Sequence, residues 1–215
     1  MMRSKFDEQL DRLNKEMMKM GSAIEDSIRK AVDALVKQDA ELAKKVMLQD
    51  EEIDREQKTI ESICFNLLIQ QQPVAKDLRT ITAALKMVTD MERIGDQAAD
   101  IADIVKVTSL GVPDASIRLK DMAKATASMV TKCIDAYVKQ DLNLAREVID
   151  SDDIVDDLFD EVKDEILQGM RKGITTDVQS LDYLMIAKYY ERIGDHATNI
   201  AEWVVYSING HHKGE

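Results

Sequence analysis

Two segments of the sequence place carboxylates at intervals of four residues. Glu92, Asp96 and Asp100 form the first series. Glu191 and Asp195 are the equivalents of Glu92 and Asp96, 99 residues later. Because residues four apart on an α-helix lie on one face and about 6 Å apart along the axis, such carboxylates can share one or two hard cations. Both segments are therefore candidate metal sites.

A second helix is needed to complete either site. Asp50 and Asp54 precede the first series, and Asp152 and Asp156 stand in the same relation to the second. Asp50 and Asp54 fall at the edge of the apolar stripe that contains Ile53, so they can lean toward a neighbouring helix. We expect this helix to supply the remaining oxygen ligands.

A solvated acidic face is the alternative to a metal site, and the sequence leaves both open. Like charges four residues apart destabilise a helix by about 0.2–0.5 kcal/mol per pair, and here the spacing occurs twice. Gly95 and Gly194 each precede an Asp of the series, which predicts the close approach of another helix or a partner. For Arg93 and Arg192 we expect pairing with an Asp of the preceding helix or of the other half of the chain.

The acidic segments belong to an internal repeat. The sequence Glu-Arg-Ile-Gly-Asp begins at Glu92 and again at Glu191, and an Asp-Ala-x-Val-Lys-Gln-Asp segment begins at Asp33 and again at Asp135. Two matches in the same order indicate a duplicated unit of about a hundred residues. We predict a first unit over residues 1–107, a linker over 108–115, a second unit over 116–209 and a polar tail over 210–215.

Each unit shows three amphipathic stretches with apolar residues at intervals of three and four, as in the run from Leu10 to Leu35. Asp39 and Asp141 suit the N-caps of the second helices, and Pro73 suits the first turn of the third. Three such helices joined by short turns must pack antiparallel to bury their apolar faces. The fold prediction is all-α, with two tandem antiparallel three-helix bundles, six long helices, and a core in each unit.

Composition limits the possible partners. The net charge is -12, which disfavours nucleic acid, anionic lipid and free phosphate as ligands and favours cations and basic protein surfaces. No apolar stretch approaches the ~20 residues of a membrane span, and charged residues stand where a signal peptide would be apolar, so we expect a cytoplasmic protein. Cys64 and Cys133 have no ligand-spaced partner, which predicts two buried core thiols.

Three motifs together resemble one family. They are Phe-Asp-Glu-Gln-Leu from Phe6, Gln-Gln-Pro-Val-Ala-Lys-Asp-Leu-Arg from Gln71, and the twice-used Glu-Arg-Ile-Gly-Asp. Their order along nearly the whole chain is similar to that of the PhoU family of phosphate-transport regulatory proteins. The resemblance implies two PhoU-type bundles and a negative regulator of the phosphate-starvation response.

The resemblance also implies partners and ligands. It implies that the protein links the ATPase subunit of a phosphate ABC transporter to a sensor histidine kinase. It also implies that the protein reaches the membrane only through such partners. We further expect a homodimer. Family members resemble this chain in having Glu/Asp-x-x-x-Asp motifs that bind metal clusters, a role carried over to Glu92, Asp96, Asp100, Glu191 and Asp195. The metal, whether iron, zinc, manganese or magnesium, is not identified by the residues. Asn199 replaces the third acid of the second series, so that site should be weaker.

Other classes of protein fit the sequence less well. A di-iron enzyme would need Glu-x-x-His pairs, whereas His196 is five residues after Glu191 and is expected to be a surface or capping residue. Neither a nucleophilic triad nor a phosphate-binding glycine loop is evident. We therefore assign no catalytic residues and predict that the protein is not an enzyme. A carboxylate-bound metal hydrolase and a metal-storage protein remain the alternatives.

Overall fold

The structure of the protein is a computed structural model, and it describes residues 2–70, 73–107 and 116–211. The described part consists of helices joined by short turns. They are α1 (Met2–Lys37), α2 (Ala40–Gln70), α3 (Ala75–Val107), α4 (Ser116–Lys139), α5 (Leu142–Asp150), α6 (Asp152–Arg171) and α7 (Asp177–Asn209). The predicted linker 108–115 lies outside the described residues, as do residues 212–215 of the predicted tail.

The same tight turn begins the second helix of each unit. Gln38 and Gln140 adopt positive φ angles of 54° and 53°, and each amide side chain donates to the carbonyl three residues back. A left-handed residue at this position ends a helix. The Asp39 carboxylate then accepts hydrogen bonds from the next helix, and Asp141 does the same at α5. Both predicted N-caps are confirmed.

The first unit is a three-helix bundle of α1, α2 and α3. The apolar stripes predicted from the sequence are buried in it, from Leu13 to Leu35 on α1, Val46 to Leu67 on α2 and Met87 to Val105 on α3. The start of α3 differs from the prediction. Pro73 lies two residues before α3 rather than in its first turn, and the Leu78 amide donates to the Val74 carbonyl instead.

The second unit repeats this plan with one interruption. Its middle helix is divided at Ser151 into α5 and α6. The Ser151 hydroxyl and amide both donate to the Glu147 carbonyl, so the chain continues through the break in a helical direction. Of the six predicted long helices, five are continuous and one is broken at Ser151.

The two units pack side by side, with α3 against α7 and α1 against α4. Both pairs run antiparallel. On α3 and α7, Asp90 meets His196 whereas Lys86 meets Trp203, seven residues further along α7. On α1 and α4, Gly21 lies against Ile134, whereas Glu25, four residues further along α1, accepts a hydrogen bond from Thr131, three residues back along α4. The buried apolar residues form one cluster that spans both units. The bundles therefore share a continuous core, although a separate core was expected in each.

Both cysteines are buried and unpaired, as predicted. Burial raises the pKa of Cys64 to about 12 and also raises the pKa of Cys133, whose thiol donates to the Ala197 carbonyl. Among the described residues, no helix combines the length and the apolar character that crossing a membrane requires.

Candidate metal centre

The first acidic cluster lies in the groove between α2 and α3; we define it as Asp50, Asp54, Glu92, Asp96 and Asp100. The two helices come close at Gly95, because a Cβ atom there would lie 3.1 Å from the Asp50 Oδ1 atom and 3.1 Å from Ile53. A larger residue would push α2 away from the carboxylates of α3. The predicted close approach at this glycine is confirmed.

Three members of the first cluster already converge. One carboxylate oxygen from each of Asp54, Glu92 and Asp96 lies within 4.8 Å of the others. They are half-buried rather than displayed on the solvent face, with 19% of the Glu92 side chain and 33% of the Asp96 side chain exposed. Projection on a helical wheel places these carboxylates opposite the apolar stripe of α3. Such a projection does not show that α2 covers one side of that face.

Asp50 is the most strongly perturbed carboxyl of the first cluster. Burial raises its pKa to about 6, and the charges of Asp96, Asp54 and Glu92 add to the rise. Its buried Oδ1 atom has no hydrogen-bond partner among the described residues. A bound cation would supply both the missing partner and the missing positive charge.

Burial and like charge also raise the pKa of Glu92 and of Asp100. Asp100 is exposed and lies at the end of the cluster, within electrostatic reach of Asp96. Carboxylate oxygens are the donors that hard divalent or ferric cations prefer. These residues fit a metal ion, with Asp54, Glu92 and Asp96 as its nearest ligands and Asp50 beside them.

The second acidic cluster, defined as Asp152, Asp156, Glu191, Asp195 and Asn199, occupies the equivalent groove between α6 and α7. Asp152 Oδ1 lies 3.5 Å from the position of a Cβ atom at Gly194, which parallels the approach of α2 to Gly95. Burial and the neighbouring acids raise the pKa of Asp156 and of Asp195. The structure therefore assembles the second set of predicted residues as well.

The second cluster differs from the first because it contains a lysine. The ammonium group of Lys188 donates to Glu191 Oε1 at 2.6 Å and lies 2.5 Å from the Oε2 atom of the same carboxylate. It also partly offsets the rise in the pKa of Asp195. Sequence reasoning missed this residue, although aligning the repeats would have placed Lys188 opposite Thr89.

The expected pairing of Arg93 is wrong. Its guanidinium group lies 3.6 Å from Glu92 and 3.3 Å from Asp96, so it pairs within its own helix rather than with α2 or the other unit. Arg192 does lie near the other unit, where its charge partly offsets the rise in the pKa of Asp100. The two arginines are equivalent in sequence but not in environment.

His196 joins the two units instead of capping a helix or facing solvent. Its Nδ1 atom lies 2.8 Å from Asp90 Oδ1 on α3. It also lines a cleft of about 550 Å³ to which both units contribute, from Gln97 on α3 and Arg192 on α7. The sequence equivalents of the pair are Gln97 and Tyr189, so this contact is made once rather than twice.

Comparison with known proteins identifies the family. A family profile described as PhoU domain matches residues 17–105 and again residues 119–204, one match in each unit. The chain belongs to the PhoU family. The two matches agree with the internal repeat and with the two three-helix bundles of the structure.

Relatives and solved structures of the PhoU family match nearly the whole chain. A phosphate-specific transport system accessory protein PhoU homolog from Clostridium acetobutylicum is 39% identical over 212 residues, covering 98% of this chain and 97% of that relative. The crystal structure of PhoU from Pseudomonas aeruginosa matches with a TM-score of 0.88 and 31% identity, covering 96% of this chain and all of that one. The phosphate transport system regulatory protein PhoU from Streptococcus pneumoniae matches equally well, with a TM-score of 0.88 at 27% identity and 98% coverage of this chain. The predicted fold class is confirmed.

Proposed function

We propose that this protein is a cytoplasmic accessory regulator of phosphate-specific transport. The observation that carries the proposal is the full-length match to relatives named for that system, with one PhoU domain in each unit. The matched ranges cover both bundles and include the segments that hold the two acidic clusters.

The regulator acts as a repressor of the phosphate-starvation response. It binds the ATPase subunit of the phosphate transporter and a sensor histidine kinase, and it reaches the membrane through these partners. The net charge of -12 supports a protein-mediated route, because an anionic lipid surface repels such a chain. We expect the protein to be a homodimer, which light scattering of the purified chain can test.

Metal binding at the first acidic cluster is the second part of the proposal. An ion held by Asp54, Glu92 and Asp96 would lie where α3 meets α2, beside the unpartnered oxygen of Asp50. Because the ion binds carboxylates of two helices, it stabilises their packing by a free energy that grows with the logarithm of the ratio of ion concentration to Kd. The protein's own residues supply ligands and position, and no reaction is assigned to them.

The first acidic cluster supports a regulatory role better than the two alternatives. A hydrolase needs an open cavity in which a substrate meets both metal and a general base, whereas the carboxylates of the first cluster fill a groove between packed helices. A storage protein would bind many ions per chain. Turnover of phosphate esters with added Mn²⁺ would favour the hydrolase, and a high metal content per chain would favour storage.

Deletion of the gene tests the regulatory role. Cells that lack the protein should express phosphate-responsive genes in phosphate-rich medium, because the repressor has been removed. Expression should return to the repressed level when the intact chain is supplied from a plasmid. Unchanged expression after deletion would contradict the proposal.

Recovery of partners tests the assignment of its contacts. Intact protein used as bait in cells grown in high phosphate should retain the transporter ATPase subunit and the sensor kinase. Recovery of neither protein, with the bait folded, would remove the proposed link between transport and signalling.

A further inference from the structure

Lys188 places an ammonium group in the second acidic cluster. Its ammonium nitrogen lies 2.6 Å and 2.5 Å from the two oxygens of the Glu191 carboxylate. Glu191 is the sequence equivalent of Glu92, which is one of the three converging carboxylates of the first cluster. Lysine therefore holds the carboxylate that a metal ion would need.

Phe159 on α6 supports this position of the lysine. The Lys188 ammonium lies 5.6 Å from the centre of the Phe159 ring, within the range of a cation–π interaction. The side chain is thereby held between an aromatic face and a carboxylate. The Lys188 and Phe159 pair is thus a two-residue feature that spans α6 and α7.

The first unit has neither member of that pair. The residue equivalent to Lys188 is Thr89, whose hydroxyl donates to its own helix at the Leu85 carbonyl. The residue equivalent to Phe159 is Gln57. The first cluster is therefore left without an internal ammonium group, and its carboxylates face each other.

The geometry of the carboxylates differs accordingly. Among the residues that the structure describes, three carboxylates with oxygens all within 4.8 Å of one another occur in the first cluster alone. In the second cluster the Glu191 carboxylate is engaged by Lys188, and the third position of the motif is the neutral Asn199. Two residues thus lower the negative charge available to an ion there.

We propose that Lys188 takes the place of a metal ion in the second acidic cluster, so that each chain holds metal at the first cluster only. This inference rests on the proposed metal-binding role of the first cluster. A hard cation entering the second cluster must displace the ammonium group from Glu191 and leave it close to a second positive charge. Lys188 thereby decides the number of metal sites in the chain.

Arg93 does not perform the same task in the first cluster. Its contacts with Glu92 and Asp96 are longer, at 3.6 Å and 3.3 Å, and 56% of its side chain is exposed, compared with 41% for Lys188. A guanidinium group at the rim of the cluster can move into solvent when an ion enters. Lys188 is also held by Phe159 and has less freedom to do so.

Metal stoichiometry in matched variants tests the proposal. The full-length protein is stripped with chelator, dialysed against Mn²⁺, and analysed for bound Mn²⁺ per chain by elemental analysis and equilibrium dialysis. Wild type should bind at the first cluster alone, so Glu92→Ala with Asp96→Ala should remove nearly all bound Mn²⁺. Glu191→Ala with Asp195→Ala should change the content little.

Exchanging the lysine between units gives the decisive comparison. Lys188→Thr should raise bound Mn²⁺ to about twice the wild-type value, and adding Glu191→Ala and Asp195→Ala should abolish the gain. Thr89→Lys with Gln57→Phe copies the lysine and its aromatic support into the first unit and should reduce bound Mn²⁺ several-fold. Phe159→Gln, which loosens Lys188 without removing it, should give an intermediate increase.

The outcomes test the role of Lys188 and the metal-binding function separately. Equal occupancy of both clusters in wild type would overturn the role of Lys188, as would an unchanged content in folded Lys188→Thr and Phe159→Gln variants. Circular dichroism in chelator establishes that each variant is folded, and Phe159→Gln keeps the test valid if Lys188→Thr unfolds. Failure of wild type and Lys188→Thr alike to bind Mn²⁺, Zn²⁺ or Fe³⁺ would instead refute the metal-binding function itself.

Discussion

Asp50 carries an unfavourable charge that the fold tolerates. It is half-buried against Gly95, its inner oxygen has no hydrogen-bond partner among the described residues, and four acids lie near enough to raise its pKa. A residue in this position makes the metal-free protein less stable when ionised. The same residue makes a cation beside it more tightly bound.

The stability of the metal-free protein should therefore depend on pH in the range around the pKa of Asp50. The pKa of Asp50 is raised from its ordinary value of 3.8 to about 6, so the folded state binds a proton more readily than the unfolded state. The free energy of unfolding should then rise as the pH falls through about 6, and the gain should be complete below about 4. Asp50→Asn should flatten this rise and stabilise the metal-free protein at pH 8 by about 1 kcal/mol, after allowance for solvent screening.

Chemical denaturation in chelator at pH 5 and pH 8 measures the effect. Glu51→Gln is the matched control, because Glu51 is an exposed carboxylate next to Asp50 on the same helix. A pH dependence that is the same in Asp50→Asn as in wild type would place its origin elsewhere.

Removal of the α3 carboxylates should separate metal binding from folding. Glu92→Ala with Asp96→Ala relieves like-charge repulsion and removes no core side chain, so the chelated protein should melt no lower than wild type. Bound metal should fall by the occupancy of one site. Elemental analysis beside a thermal melt tests both statements, and a large drop in the chelated melt would show that the two carboxylates are structural.

The sequence predicted which carboxylates would gather but not which cations would pair with them. Spacing along one helix and repetition in two units were sufficient for Glu92, Asp96 and their equivalents. The contact of His196 with Asp90 depends on the packing of α3 against α7, which a single-helix projection does not contain. The half-buried state of the first cluster was missed for the same reason, because only the packing of α2 shows it. Arg93 and Lys188 instead pair with residues three positions further along their own helices, a spacing that the sequence does contain.

At the scale of helices, the repeated Lys-Gln-Asp turn is the best-determined local feature. Gln38 and Gln140 end one helix in the left-handed conformation, and Asp39 and Asp141 begin the next. The sequence predicted both caps because Asp accepts hydrogen bonds from amide groups that have no partner in the first turn. It did not predict the break at Ser151, whose equivalent in the first unit is Gln49 within a continuous helix.

Loss of either aspartate cap should cost stability by a similar amount. Asp39→Ala and Asp141→Ala should each lower the free energy of unfolding by about 1 kcal/mol, since each removes a carboxylate that accepts from two backbone amides. Because the turns lie in different units, the double variant should show the sum of the two losses. Urea denaturation measures all three, and Thr176→Ala, which removes the capping box of α7, provides a third cap for comparison.

At the scale of the whole molecule, the two units depend on each other. Contacts between them include the His196–Asp90 pair, the Lys86 ammonium 5.9 Å from the Trp203 ring centre, and the Tyr137 hydroxyl donating to the Thr80 carbonyl at 3.4 Å. The buried apolar residues of both units belong to one cluster. The sequence predicted the duplication but not the shared core. An apolar face on a helix shows that another helix packs against it, but not which one.

The isolated first unit should be folded but less stable than the whole chain. A fragment of residues 1–107 keeps the contacts among its three helices, so it should be helical and melt cooperatively. It loses the cover that α4 and α7 provide, so its melting temperature should fall by more than about 10 °C. Mixing it with residues 108–215 should restore part of the loss. Melting of the fragment at the temperature of the intact chain would show that the units are independent.

The antiparallel packing of α3 on α7 is also the geometry of a symmetric homodimer. Two separate copies of one unit would have to meet through the same surface, and their association would weaken on dilution. Fusion into one polypeptide makes that encounter intramolecular and independent of protein concentration. In a homodimer each substitution appears in both copies, whereas in the fused chain the two units can change separately. His196 therefore contacts Asp90, while the equivalent positions are occupied by Gln97 and Tyr189. Divergence of the copies is what allows one half of the molecule to have Lys188 where the other has Thr89.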